Sequence, residues 1–424
     1  MRIQRLQLKS FRGFEDIEIN FDDQMSTIFL GGNGIGKSTI LDSISTMLFS
    51  AFTSLFKLKS MNLKPKINYP FAEFSEADIS NNSEKGFISI NIKYLDIDCS
   101  FDFELEKNLE SFEAYNLLPL LTNISSIYEV EGNLPLFVHY MTNRILPEIE
   151  PKVLEPIKLE DLDIREAYSF YSKNRQTNFI KLFTWFRSLE DIENQMRLDE
   201  ENSYRDKQLE AVRDAISNIV PEFSDLKVNR RPPAKIEVTK NNSERFSINQ
   251  LSDGEKCFLA MVGDLARRLA IANPKKDDPL KGYGIVLIDE IELHLHPEWQ
   301  RRVIPRLTET FPNCQFIITT HSPQVLGEFK GQVYRLKQTE IGIIAELRQT
   351  YGKDSNRILE DDMESTERDP HIQEKILQLF RYIDAGDLEA ARSLKQSIQE
   401  EIKFEDPSFV TADVLIHRKE LLGR

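Results

Sequence analysis

The chain is poor in cysteine: Cys99, Cys257 and Cys314 are the only three in 424 residues. They are odd in number, scattered and without metal-binding spacing, which argues against a disulfide framework or a thiolate metal site and suits a reducing cytoplasm. A basic excess is also missing. Lys and Arg number 54 against 69 Asp and Glu, a formal net charge of -15. The field of the whole molecule therefore repels nucleic acid, and any such contact needs a local basic face or a partner. No apolar run approaches the length that spans a bilayer, and the opening MRIQRLQLKSFRGF alternates like a strand where a signal peptide would carry an apolar core. With 40% hydrophobic and 29% charged residues, the composition is that of a globular cytoplasmic protein. Its length leaves room for about two or three structural units.

Ile3, Leu6 and Leu8, then Ile17, Ile19 and Phe21, predict two short strands joined by the turn SFRGF, with a third strand over 26–30. Residues 87–105, FISINIKYLDIDCSFDFEL, alternate with period two and predict a half-exposed antiparallel hairpin, a side sheet. Residues 134–140 form a continuous apolar run of the kind found in buried strands. Between about 159 and 220 the pattern turns helical, with Phe179, Leu182, Phe183, Phe186, Leu189 and Ile192 on one face. Sustained heptads are absent, so a short helical insert is expected and not a coiled-coil arm. NRRPPAKIEV, 229–238, reads as a linker into another strand. Beyond Asp369, one stripe at Ile372, Ile376, Leu379, Phe380 and Ile383 and a second at Leu388, Ala391, Leu394, Ile398 and Ile402 predict two amphipathic helices. Asp406 before Pro407 starts a third. Such a tail is a docking or oligomerisation element, or equally a lid on its own domain. These shifts divide the chain into an N-terminal lobe (1–158), a helical insert (159–225), a C-terminal lobe (226–350) and a helical tail (351–424).

GGNGIGKST, 31–39, matches the pattern G-x-x-x-x-G-K-[ST] between a predicted strand and a predicted helix. Its glycines let the backbone fold close around phosphates, and the N–H groups from Asn33 through Gly34, Ile35, Gly36 and Lys37 to Ser38 form an anion nest. Lys37 supplies a point charge, and Ser38, followed by Thr39, can hold Mg2+. GIVLIDE, 284–290, is an apolar strand ending in two acids. Asp289 suits the Mg2+ shell, and Glu290 can polarise an attacking water. FIITTHSPQ, 316–324, ends another strand at His321, which can bond a γ-phosphate oxygen or that water. QLSDGEKCF, 250–258, fits a capping box of Ser252 and Glu255, and the same geometry presents Ser252, Gly254 and free helix N–H groups to an anion. His294 and His296, spaced by two with no cysteine close by, make a poor zinc pattern.

SFRGF, GGNGIGKST, QLSDGEK, VLIDEIELHLHP and TTHS, in this order, resemble the SMC/RecF branch of the ABC-type ATPases. The resemblance implies an α/β fold: an ABC-type P-loop head with an antiparallel β side sheet, the short helical insert and the C-terminal helical tail. It implies ATP and Mg2+ as cofactors, with Asn33, Gly34, Ile35, Gly36, Lys37, Ser38 and Thr39 at the phosphates and Arg12 near the nucleotide. It also places Mg2+ at Ser38 and Asp289, with Glu290 and the switch histidine His321 as catalytic residues. Ser252, Asp253, Gly254 and Glu255 fall in the signature motif, which in this family caps ATP held by a second subunit, so a homo-oligomer of head-to-tail dimers is implied. Glu255 stands where transporters carry glutamine and His296 where their D-loop carries aspartate, both as in the RecF-like branch. The Q-loop glutamine is unassigned, Gln176 being a candidate.

Within that branch, the insert and the ending DPSFVTADVLIHRKELLG resemble the compact AAA-type ATPases of bacterial anti-phage defence operons, the Septu type also found beside some retrons. That resemblance implies a slow, regulatory ATPase that gates a partner nuclease, often of HNH type, meets nucleic acid mainly through the partner, and has no membrane association. Two other readings stand beside it. One is a RecF-like DNA-binding ATPase, with Lys57, Lys59, Lys64 and Lys66, or Arg230, Arg231 and Lys235, as a basic face. The other is an ATP-dependent scaffold with little turnover.

Overall fold

The computed structural model describes residues 1–21, 26–58, 74–107, 114–144, 146, 148–149, 163–168, 179–199, 203–241, 243–340, 342–363 and 369–422. Two compact units divide the chain, Met1–Asp354 and Ser355–Arg424. The first begins with β1 (Arg2–Phe11), β2 (Phe14–Asn20), β3 (Ser26–Leu30) and α1 (Lys37–Lys57). It continues through β4 (Lys85–Tyr94), β5 (Ile97–Glu106), β6 (Ala114–Tyr115), α2 (Leu118–Glu131) and β7 (Leu136–Tyr140). Helices α3 (Ile180–Asp199) and α4 (Lys207–Ile219) precede β8 (Phe223–Asn229), β9 (Lys235–Lys240) and β10 (Glu244–Ser247). Last come α5 (Asp253–Ala272), β11 (Gly284–Ile288), α6 (Pro297–Thr310), β12 (Cys314–Thr319), α7 (Pro323–Gly327), β13 (Gln332–Thr339) and β14 (Gly342–Arg348).

The central sheet runs β14-β13-β3-β12-β11-β7, with five parallel strands and β14 antiparallel at the edge. Every residue of β3, β7, β11 and β12 is buried, which is why these strands read as unbroken apolar runs. The strand ending at Asp289 and the strand ending before His321 are neighbours, with Ile288 opposite Ile318. Strand β12 separates β11 from β3, so the three motif-bearing strands lie side by side.

A second, antiparallel sheet runs β2-β1-β4-β5-β6. The hairpin expected over 87–105 is β4 and β5, and β1 and β2 pair into the same sheet. The Gln315 amide fastens the two sheets, accepting from the Ile3 N–H at 2.6 Å and donating to the Ile3 carbonyl at 2.9 Å. Helix α1 corrects one expectation. Its 21 residues are long and apolar enough to cross a membrane by length and composition, yet Ile40, Leu41, Ile44, Met47, Leu48 and Leu55 are buried as core. The apolar character serves packing beneath the glycine-rich loop.

The segment 229–238 is the expected linker into a strand, with residues 230–234 leading into β9. It joins β8 to β9 in a three-stranded antiparallel sheet, β10-β9-β8. Helices α3 and α4 lie against α5, where a Cβ on Gly263 would meet Leu182 at 2.9 Å and Ile216 at 3.6 Å. Arg230, a candidate for a basic face, is bound by Asp191 at 2.6 Å and Glu190 at 2.9 Å. Lys59, Lys64, Lys66 and Gln176 lie outside the described residues.

The second unit holds α8 (Ser355–Asp361), α9 (Pro370–Ala385), α10 (Leu388–Ile402) and α11 (Pro407–Leu422). Asp369 caps α9 and Asp387 caps α10, so the DAGD break is a helix end followed directly by a new start. Ile376, Leu379, Ile383, Ala391, Ile398, Phe409, Ala412 and Ile416 form its core. On the opposite side of α11, Val410, Val414 and Leu421 are exposed.

Within the first unit, Asp264 is fully buried on α5 and binds Arg267 at 2.8 Å, Arg268 at 2.6 Å and the Tyr140 hydroxyl at 3.1 Å. Burial pushes its carboxyl up, but Arg268 and Arg267 outweigh burial and hold it below the usual carboxylate range. Removing the charge strands two buried guanidinium groups. Asp264→Asn is expected to cost about 3–5 kcal/mol in chemical denaturation. Asp277→Asn, on the surface, should stay within about 0.5 kcal/mol. Equal stability of the two variants would refute this account of the α5 core.

Candidate nucleotide-binding site

Strand β3 delivers the chain into the glycine-rich loop at residues 31–36, and α1 starts at Lys37. Gly36 has φ 103°, and a Cβ there would stand 2.6 Å from the Phe14 ring. Both the left-handed backbone and the close ring exclude any larger residue. Lys37 is only 6% exposed and donates to the carbonyls of Gly31 at 2.9 Å and Gly32 at 3.0 Å, so its ammonium lies across its own loop. Burial lowers its pKa, against the opposing pull of Asp289, Glu290 and Glu292. Asn33 and Gly34 are exposed on the loop, with Ile35 and Thr39 half-buried.

Ser38 opens toward Asp289. Its hydroxyl donates to Asp289 Oδ2 at 2.8 Å, and the Thr319 hydroxyl donates to Asp289 Oδ1 at 2.5 Å. Thr319 Oγ1 also accepts the N–H of Glu290 at 2.8 Å. Lys37, Ser38 and Asp289 are thus brought together, and Glu290 is joined to them through Thr319. The Ser38 hydroxyl and the Asp289 carboxylate are hard oxygen donors in contact, a donor set that fits Mg2+.

His321 follows the end of β12. Its N–H donates to Glu292 Oε1 at 2.5 Å, and the Thr320 hydroxyl donates to Glu292 Oε2 at 2.7 Å, so one carboxylate fixes the peptide that carries the imidazole. Thr319, Glu292 and Arg144 are site residues that sequence reasoning missed. Arg144 donates to the carbonyls of both Asp289 and Glu290. Glu292 alone left a signal, a third acid within four residues. Thr319 and Arg144 act on backbone or side chains far along the chain and left none.

Arg12 has φ 48° and sits in the turn between β1 and β2. Its guanidinium bonds Asp78 at 2.8 Å and Asp42 at 3.0 Å, tying that turn to α1. Burial pulls its pKa down, but the two carboxylates prevail and raise it.

The signature residues form a separate cluster. Ser252 caps α5, accepting the Glu255 N–H at 3.4 Å, and Glu255 Oε2 accepts from both the N–H and the hydroxyl of Ser252 at 2.9 and 2.8 Å. Glu255 Oε1 binds Lys240 at 2.6 Å. Burial pushes this carboxyl up, but Lys240 and Ser252 outweigh it and hold the group below its usual range. Asp253 is exposed and pairs with Lys256 at 2.9 Å. These bonds stay at the start of α5 and do not reach the glycine-rich loop.

Gly254 has a second reason to be glycine. A Cβ there would stand 2.0 Å from the His294 carbonyl oxygen, so the start of α5 rests directly on the loop after β11. His296 Nδ1 caps α6 by accepting the Glu298 N–H at 3.4 Å. No cluster of three metal-ligating residues occurs among the described residues.

Residues 26–327 match the family described as "AAA domain, putative AbiEii toxin, Type IV TA system". The chain is 29% identical over 436 residues to the Retron Vc95 probable ATPase of Vibrio cholerae serotype O1 biovar El Tor, covering 90% of this chain and 82% of that protein. It is 29% identical over 487 residues to the Retron Ec83 probable ATPase of Escherichia coli, covering 99% and 87%. To the Septu protein PtuA of Bacillus mycoides (strain KBAB4) it is 26% identical over 345 residues, covering 80% and 41%.

The contact at Gly254 yields a direct test. Gly254→Ala must displace either the start of α5 or the loop at His294, and overpacking of this kind costs about 1–3 kcal/mol. A lower unfolding midpoint is expected in thermal denaturation. An unchanged midpoint would show that the two segments do not meet in this way.

Proposed function

The chain belongs to the AAA domain family that spans its residues 26–327, and from that premise we propose an ATPase whose two copies pair head to tail around ATP. Lys37, the loop amides from Asn33 to Ser38, and Thr39 bind the phosphates of one copy. Mg2+, held by Ser38 and Asp289, would neutralise charge on the β- and γ-phosphate oxygens. Ser252, Asp253, Gly254 and Glu255 with the α5 N-terminus of the second copy cap the γ-phosphate. Glu290 takes a proton from the attacking water, which adds to the γ-phosphorus as ADP leaves, and His321 senses the γ-phosphate.

One observation carries this reading. The bonds that join Ser38, Asp289 and Thr319, beside Lys37 lying across its own loop, and those that join Ser252, Glu255 and Lys240 are separate sets within one chain, and we read each as half of a phosphate site. ATP between two copies joins the halves, so binding stabilises the pair and hydrolysis loosens it, a two-state element biased by ligand.

The likeness to proteins named for retrons and Septu supports a cytoplasmic regulator in anti-phage defence that gates a partner effector of nuclease type. The exposed Val410, Val414 and Leu421 on α11 give such a partner an apolar face. Pairing of Arg230 with Glu190 and Asp191 takes that one charge out of the candidate basic face.

Two measurements test the proposal. Glu290→Gln is expected to lower phosphate release about 100-fold or more while the chain accumulates as an ATP-bound pair in size-exclusion chromatography. Normal turnover would remove Glu290 as the base. Ser252→Arg is expected to retain ATP binding at Lys37 yet neither pair nor hydrolyse; a variant that still pairs and turns over would rule out the shared site.

A further inference from the structure

Glu290 has φ 49°, a left-handed conformation that a non-glycine residue holds only where its surroundings over-determine it. Its peptides are pinned from two directions. On one side the Thr319 hydroxyl accepts the Glu290 N–H at 2.8 Å. On the other, Arg144, 2% exposed, donates from Nη1 to the Asp289 carbonyl and from Nη2 to the Glu290 carbonyl, both at 2.5 Å. The same guanidinium bonds the Met141 carbonyl at 3.1 Å, which anchors it to the end of β7.

Arg144 is also held by the signature helix. The Cys257 thiol donates to the Arg144 carbonyl at 2.9 Å. Burial pushes that thiol up, so it stays protonated and able to donate at neutral pH. Before the signature, the Asn249 amide exchanges two bonds of 3.1 Å with the backbone of Ile149. Residues on either side of Ser252 therefore grip the chain after β7, and Arg144 grips the two peptides that aim Glu290.

The geometry points to Arg144 as the positioning residue that holds the Glu290 carboxylate in line and transmits the state of the signature helix to it. This rests on the reading of Glu290 as the base. Closure of a second copy's γ-phosphate onto Ser252 loads the start of α5. The displacement passes through Cys257 to the Arg144 backbone, and through the guanidinium to the carbonyls of Asp289 and Glu290. The Lys37 ammonium and the loop amides make none of these contacts, so loss of the residue falls on turnover far more than on affinity.

The test uses the full chain with Arg144→Met, Arg144→Lys, Glu290→Gln and the double variant Arg144→Met/Glu290→Gln, in steady-state ATP hydrolysis. Arg144→Met is expected to lower kcat about tenfold or more with KM within about twofold, since misplacing a reacting group by a fraction of an ångström has this effect. Arg144→Lys, which keeps the charge and can reach one carbonyl, recovers part of the loss. The double variant is no slower than Glu290→Gln alone, because both changes disable one function. If the Met variant does not fold, the Lys variant decides on the same split of kcat from KM. A wild-type kcat in folded Arg144 variants, or a rise in KM with kcat unchanged, overturns the inference. Wild-type turnover by Glu290→Gln would instead overturn the reading on which it rests.

Discussion

The Asp289 carboxylate is the constraint on which the rest of the site depends. One oxygen accepts the Ser38 hydroxyl and the other the Thr319 hydroxyl, while the Asp289 N–H donates to the Tyr140 carbonyl at 2.8 Å. A single residue thereby joins the start of α1 to the ends of β11, β12 and β7. That is possible only because these strands and β3 run parallel and end at one level, with Ile288 opposite both Ile318 and Tyr140, and Thr319 opposite Phe29. Parallel strands require crossovers that cover both faces, and this requirement accounts for the unbroken apolar runs that lead into every motif. Each hydrogen bond adds only about 0.5–3 kcal/mol, more where a charge is involved, so their main effect is position.

Helix α5 supplies the second rigid element. Its middle is fixed by Asp264 between two buried arginines, its apolar face by Leu182 and Ile216, and its start by the Gly254 contact with His294. A helix start so constrained, which we propose caps an anion, can pass force to whatever it touches, as a group on a loop with fewer contacts cannot. The insert that supplies Leu182 and Ile216 is in this sense a brace for the signature helix.

How much of this was legible in the sequence depended on how local the chemistry is. Lys37, Ser38, Asp289 and the capping pair Ser252 and Glu255 could be read because short motifs encode them, with each partner's role set within a few residues or by strand order. Thr319 and Arg144 could not, and Glu292 showed only as a third acid, because the partners of all three lie far along the chain and each acts on a backbone group. Gly254 was legible as a small residue beside an anion, while its contact with His294 depended on tertiary packing. Arg12 was placed near nucleotide by resemblance, and its guanidinium bonds in the structure run to Asp42 and Asp78. The Arg-Pro-Pro stretch was legible as a linker into a strand, while the pairing of that strand with β8 and β10 depended on residues outside it.

The central claim is that one phosphate site is made by two chains. Subunit complementation tests it most directly, with Lys37→Ala and Ser252→Arg chains co-expressed, purified as mixed assemblies and assayed for phosphate release. Each variant alone lacks one half of every site, but a mixed pair rebuilds one site from the intact Lys37 of one chain and the intact Ser252 of the other. Each purified mixed pair then carries one intact site of two and restores about half of wild-type turnover. Mixed assemblies that stay as inactive as their parents would contradict the shared site and leave ATP to be handled within a single chain.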